Sequence, residues 1–132
     1  MVAVSCEITE HPARTAAIAS MTAVENGDRD GWLALFHPDA VVEDPIGPSM
    51  FDPEGLGHHG HEGIGKFYDT VIAPNSCAFE IRESYAAGDE VANVCTITTT
   101  FTDGGQFVVD AVTTYLVDAD GKILKLRAYW SM

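Results

Sequence analysis

Asp44 is the residue in this 132-residue chain best placed for acid–base chemistry. It lies in Val41-Val42-Glu43-Asp44-Pro45-Ile46-Gly47, a β-branched run that ends in turn residues. Alternate side chains of a strand share a face, so Val42, Asp44 and Ile46 are expected to point one way if the strand runs that far. If that way is inward, the carboxylate sits in an apolar pocket, where desolvation favours its neutral form and makes it a stronger base. Pro45 has no N–H to give a neighbouring strand, so the strand is expected to stop or to lie on an edge here. The loop after it then opens beside the carboxylate.

His58, His59 and His61, with Asp52, Glu54 and Glu62 nearby, are the other chemical cluster. Three imidazoles and a carboxylate suit zinc or nickel. Two of the histidines are adjacent, however, and none has the i, i+4 helical spacing that aims two rings at one ion. We expect no metal, and histidines near a pocket mouth whose titration near neutrality makes ligand binding pH-sensitive. Cys6, Cys77 and Cys95 are too far apart for a metal-ligand motif and odd in number, so they are read as reduced thiols.

The elements that must position Asp44 follow from periodicity. Pro12 opens a helix, and Ala13, Ala17, Met21 and Val24 fall on one face of it, with Arg14 off that face and free to reach solvent. Asn26-Gly27 closes it. Asp28 caps a short second helix through Trp32, Leu33, Leu35 and Phe36, stopped by His37-Pro38-Asp39 before the strand of Asp44. A loop over 45–60, rich in proline and glycine, is long enough to cover a site. Ile64, Phe67, Tyr68, Val71 and Ile72 then form one apolar helical stripe, ended by Ala73-Pro74-Asn75. After Pro74 the chain reads as four strands, about 77–86, 91–102, 107–117 and 122–131, joined by short turns into an antiparallel meander. The fold class is α+β, helices covering one face of a curved sheet, in one domain spanning 1–132.

Composition narrows the partners. A formal net charge of −13 repels phosphate backbones and anionic lipid surfaces, so neither nucleic acid nor membrane is expected as a partner. No apolar run reaches the roughly 18–20 residues that span a bilayer, and the N-terminus lacks a signal-peptide pattern. A cytoplasmic location is expected.

The segment from Asn26-Gly27-Asp28 through Gly47, with Trp32-Leu33-Ala34-Leu35-Phe36 and Glu43-Asp44-Pro45-Ile46-Gly47, resembles the bacterial ketosteroid Δ5-isomerases and the wider nuclear transport factor 2-like, or SnoaL-like, superfamily. The likeness continues through Lys66-Phe67-Tyr68 and, more loosely, from Gly121-Lys122-Ile123 to Trp130. It implies a cone-shaped sheet wrapped around a long helix, a pocket open at one end, homodimers through the outer face of the sheet, and no cofactor or metal. It further implies that Asp44 moves a proton within a 3-keto steroid while hydrogen-bond donors hold the dienolate oxygen.

Two positions depart from the family pattern. The family's helix-1 tyrosine falls on Ser20, and its second, protonated aspartic acid falls on Thr113. Aliphatic hydroxyls are weaker acids, and loss of one good oxyanion donor typically costs on the order of 10²–10³ in rate. Asp110, three residues before Thr113, belongs to the opposite strand face. Tyr68 falls on a family tyrosine that in some members joins the network at the site, or else is a core tyrosine bonded to a backbone carbonyl. Trp130 matches an aromatic wall position and shares its face with Leu124, Leu126 and Ala128. Three functions are compatible with these residues. One is an isomerase with Asp44 as base and Tyr68, Ser20 or Thr113 as donors. Another is a non-catalytic carrier of small hydrophobic molecules. The third is a polyketide cyclase-like or epoxide hydrolase-like reaction, although Arg82 and Arg127 are the only strand arginines available for the latter.

Overall fold

A computed structural model describes residues 1–131. Helix α1 (Pro12–Glu25) starts where His11 accepts from the Ala13 N–H through Nδ1 at 3.1 Å, while its Nε2 meets the Gly88 carbonyl at 2.9 Å. That pair of contacts selects the neutral tautomer with the proton on Nε2. Helix α2 (Arg29–Ala34) is capped by Asp28, whose side chain accepts from the Gly31 N–H. Both starts agree with the sequence.

The strand carrying Asp44 begins earlier than the sequence suggests. β2 runs Phe36–Glu43, so Phe36 opens a strand instead of closing α2. Its register against the last strand slips between Phe36 and Val41. His37, Pro38 and Asp39 fall in that irregularity, where proline's missing donor does no harm to a ladder. Four apolar residues spaced for a helix thus yield to tertiary pairing at one position, Phe36.

β1 (Ala3–Val4) and β3 (His58–His59) are short edge strands with little sequence signal. α3 (Gly60–Phe67) continues into a π-helical turn over Tyr68–Ile72. The four strands of the meander follow as β4 (Ser76–Ala87), β5 (Glu90–Thr100), β6 (Gln106–Val117) and β7 (Ile123–Tyr129). They form a seven-stranded mixed sheet in the order β1-β4-β5-β6-β7-β2-β3. β1 lies parallel to β4 and β2 parallel to β7; the other pairs are antiparallel. Register shifts in β4 after Ile81 and between β6 and β7 at Leu116/Val117 bend the strands, and the curved sheet wraps helix α1. This is the expected α+β cone.

The apolar face of α1 is buried as its spacing predicts, with Ala13, Ala17 and Met21 enclosed. Arg14 is not free in solvent, contrary to expectation. It is 6% exposed, donating to the Thr9 carbonyl at 2.6 Å and to Ser84 Oγ at 2.9 Å. A long side chain on a small-residue helix can lie flat between helix and sheet, so helical spacing alone does not send its head outward.

Candidate functional site

The inner face of the sheet, α1 and α3 enclose a cavity of about 510 Å³. Its wall is mostly apolar and aromatic: Trp32, Phe51, Phe67, Phe79, Phe107 and Trp130 all face it. The loop after β2 contributes Met50 and Phe51, as a covering loop should. That loop is held closed by Asp52, which accepts from the Leu56 and Gly57 N–H groups at 3.2 and 2.8 Å. Gly55 permits the closure: its φ is +69°, and a Cβ there would lie 2.7 Å from the Pro48 nitrogen. Met50 and Phe101 line the cavity and are also exposed, so they mark its mouth.

Asp44 lines this cavity, immediately beyond the end of β2. Ile46 N–H bonds the Ala128 carbonyl at 3.0 Å, which keeps the chain against β7 past Pro45. Trp130 Nε1 donates to Asp44 Oδ1 at 2.6 Å. Burial pushes the Asp44 carboxyl above the usual aspartate pKa, and the Trp130 hydrogen bond partly opposes that rise. The result is an ionisable base, oriented by an indole, among apolar walls. None of the described lining residues is lysine, arginine or histidine.

The structure brings Ser20, Thr113 and Trp130 to the same cavity as Asp44. Ser20 is already engaged, its Oγ accepting from Trp32 Nε1 at 2.9 Å. Thr113 is 4% exposed and its Oγ1 has no partner. Asp110 lies on the opposite face, as strand alternation requires, bonded to Thr96 at 2.8 Å and to Arg82 at 3.3 Å.

Tyr68 does not join them. It is buried and its ring packs 5.5 Å from that of Trp32, but it is not among the cavity-lining residues. The apolar stripe of α3 and its π-helical turn wraps far enough around that Phe67, Val71 and Ile72 face the cavity while Tyr68 enters the core beside α2. Burial raises its phenol above the usual range.

The histidines also part company. His59 Nε2 meets the Leu56 carbonyl at 2.7 Å and His61 Nε2 meets the Phe36 carbonyl at 2.8 Å, while the His58 ring packs 4.5 Å from Phe67. Among the described residues no group of three His, Cys, Asp or Glu side chains converges on a metal-sized site. None of the three histidines lines the cavity or its mouth: β3 turns His58 to the back of Phe67 and His59 to a backbone carbonyl, and the first turn of α3 turns His61 to the Phe36 carbonyl. Arg127 pairs with Glu43 at 3.2 Å and Arg82 with Asp110, so neither strand arginine reaches the cavity.

Sequence reasoning passed over Tyr115, and it read Cys77 as a reduced thiol without placing it at the site. Tyr115 is 3% exposed, lines the cavity and lies two residues beyond Thr113 on the same strand face. Strand alternation from Thr113 is the signal that finds it. Cys77 lines the cavity with its Sγ 3.8 Å from Thr99 Oγ1, and burial pushes its thiol up, which keeps it protonated and unreactive.

Comparison with known proteins places these features in a family. Residues 17–126 match the SnoaL-like domain family. A steroid Δ-isomerase of Nocardioides simplex is 32% identical over 117 residues, covering 88% of each chain. The Δ5-3-ketosteroid isomerase structure from a Mycobacterium species superposes with a TM-score of 0.89 at 40% identity, covering 93% of this chain and 95% of that one. A Mycobacterium tuberculosis protein in complex with estradiol-17beta-hemisuccinate gives a TM-score of 0.88 at 38% identity, with 93% and 96% coverage. The aspartate at the end of β2, the aromatic cavity and the curved sheet are thus those of a chain that belongs to the SnoaL-like family, in its ketosteroid isomerase-like branch.

Proposed function

We propose that this protein isomerises a neutral 3-keto steroid or a similar polycyclic ketone, with Asp44 as the base. The observation that carries the proposal is the Asp44 carboxylate, raised in pKa by burial in an apolar cavity and oriented by Trp130 at 2.6 Å. The ionised carboxylate takes a proton from the carbon between carbonyl and alkene. The C–H electron pair becomes a C=C bond and the carbonyl electrons move to oxygen, giving a dienolate. The protonated Asp44 then returns that proton at the far end of the diene, and the product is an isomeric conjugated ketone. A carboxylate is a weak base for a carbon acid, so the step depends on donors aimed at the dienolate oxygen in a water-poor site. The likeness to two steroid isomerases and to a steroid-bound structure supports the substrate class.

The test is direct. A Δ5-3-ketosteroid mixed with the protein should develop conjugated-enone absorbance, and Asp44→Asn should lose that activity while still binding steroid. A wild-type protein that binds the steroid and leaves it unchanged points to the second reading, a carrier of small hydrophobic molecules. One observation favours that reading: Ser20 and Thr113 stand where the family has a phenol and a carboxylic acid. Cyclase-like chemistry in the same cavity is the outcome to pursue if no steroid binds. Epoxide hydrolysis is disfavoured because no cation reaches the cavity among the described residues.

The same likeness extends the proposal to a homodimer through the outer face of the sheet, where Val108, Val112 and Tyr129 are exposed. Sedimentation of the wild type against Val112→Arg checks it, with a monomeric variant as the expected result.

A further inference from the structure

Two hydrogen-bond chains run from the body of the protein toward one patch of the cavity wall, and each begins at a group that can only donate. In the first, Trp32 Nε1 donates to Ser20 Oγ at 2.9 Å. An indole N–H has no acceptor capacity, so the direction is fixed and Ser20 keeps its own proton to give. Ser20 and Tyr115 share the cavity wall, and the Ser20 hydroxyl holds the Tyr115 phenol pKa lower than burial alone would set it. With Ser20 as the neighbouring donor, the phenol keeps its own O–H for the cavity it lines.

In the second chain, the buried Arg14 donates through Nε to Ser84 Oγ at 2.9 Å, and Ser84 Oγ donates to Asn93 Oδ1 at 2.7 Å. With its oxygen occupied, Asn93 has its amide N–H groups to spend. Asn93 is fully buried and its Nδ2 has no partner. Its cross-strand neighbour is Thr113, a cavity-lining residue whose buried Oγ1 makes no geometric hydrogen bond and has the Cys95 thiol as its nearest polar influence. Two unpaired polar groups side by side in a dry interior are costly, roughly 1–3 kcal/mol each, unless a ligand completes them.

The register places this patch opposite the base. Thr113 pairs with Ala128 and Tyr115 with Leu126 on β7, while Val42 of β2 also pairs with Leu126. Asp44, two residues beyond Val42, is therefore level with Thr113 across one strand, about 10 Å between backbones, and Tyr115 lies two residues further along β6. Asp44, Thr113 and Tyr115 all line the one cavity of about 510 Å³.

We infer that Tyr115, assisted by Thr113, is the donor that holds the carbonyl oxygen of a neutral ring ketone whose neighbouring C–H meets Asp44. The phenol that stabilises the developing charge is delivered from β6, and Ser20 is a positioning residue that orients it. Resting as it does on the isomerase reading, the assignment needs a test that can fail separately. Asp44→Asn supplies the background, because its neutral amide mimics the protonated base that faces an enolate. 2-Naphthol supplies the probe, since its absorbance and emission report whether the bound molecule is ionised.

In Asp44→Asn, bound 2-naphthol should ionise at a lower pH than in water. Adding Tyr115→Phe should remove most of that lowering and weaken naphtholate binding tenfold or more, the value of one charge-assisted hydrogen bond. Thr113→Val should remove less. Ser20→Ala should lose part of the effect and Ser20→Thr should regain it, which packing alone does not explain. Unchanged ionisation in Tyr115→Phe, or no binding of 2-naphthol by the folded protein, overturns the assignment. Steroid turnover that survives Tyr115→Phe at full rate overturns it too and leaves Asp44 as base. Tyr115-dependent naphthol ionisation without any steroid turnover supports the donor and ends the isomerase reading.

Discussion

The two faces of the β5–β7 sheet treat polar groups in opposite ways. On the outer face, polar side chains answer one another: Arg82 and Thr96 both bond Asp110, and Arg127 bonds Glu43 at 3.2 Å and Tyr129 at 3.3 Å. On the inner face, polar groups are few and incompletely answered, as at Thr113 and Asn93. Partly exposed ion pairs contribute little, because water already solvates each charge. A buried group without a partner destabilises the fold, and Thr113 is such a group on the cavity wall. The difference separates a face whose polar groups satisfy one another from one that leaves two of them without partners.

That contrast can be broken most severely at Asp44. Asp44→Asn keeps the shape and the Trp130 contact but removes the base, and kcat on a Δ5-3-ketosteroid is expected to fall by about 10²–10⁴. If the fall is less than tenfold, Asp44 is not the base. The next effect is on pH dependence. The reaction requires ionised Asp44, so kcat/KM should rise with pH along a limb lying above the ordinary aspartate value of 3.8. Trp130→Phe deletes the N–H that favours the ionised form, so the limb should move to higher pH. A pH–rate profile of the two proteins checks the direction.

A smaller effect should appear in stability. An aspartate whose folded pKa lies above its unfolded one binds more protons folded than unfolded between those two values. Stability contributed by Asp44 therefore falls as pH rises through that window, and at neutral pH its charge weakens the fold. Asp44→Asn should melt at a higher temperature than wild type at pH 7, and the advantage should disappear below the ordinary aspartate pKa. Thermal melts across pH measure this. Least of all should change on the outer face: Asp110→Asn should alter unfolding free energy by no more than about 1 kcal/mol and leave steroid turnover untouched. Loss of turnover in that variant would erase the distinction between the faces.

Much of this was legible in the residues. The meander β4 to β7 follows from alternation and turn dipeptides, and α1 from its alanine-rich stripe. The Asp44-Pro45 junction marked the end of a strand beside a loop. Where local pattern and tertiary pairing disagreed, pairing won. Phe36 fits a helical stripe yet is the first rung of β2 against Ile123. Arg14 lies off the apolar face of α1, yet Thr9 and Ser84 supply acceptors that hold its head inside.

By itself, then, the sequence determined the order of the main helices and the meander strands, the branch of the family and the carboxylate proposed as base. Each rests on short-range facts: periodicity, turn chemistry and one motif around Asp44. Only the tertiary structure decided what faces that carboxylate. Tyr68 and Tyr115 are both apolar-pattern tyrosines in the sequence, and the rotation of the α3 stripe sends one into the core while the pleat of β6 sends the other into the cavity. Ser20 accepts from Trp32, twelve residues away in the chain, and that contact, made only because α1 and α2 fold together, decides where its own proton can go. The direction of a hydrogen bond depends on what stands on its far side, and that is a property of packing.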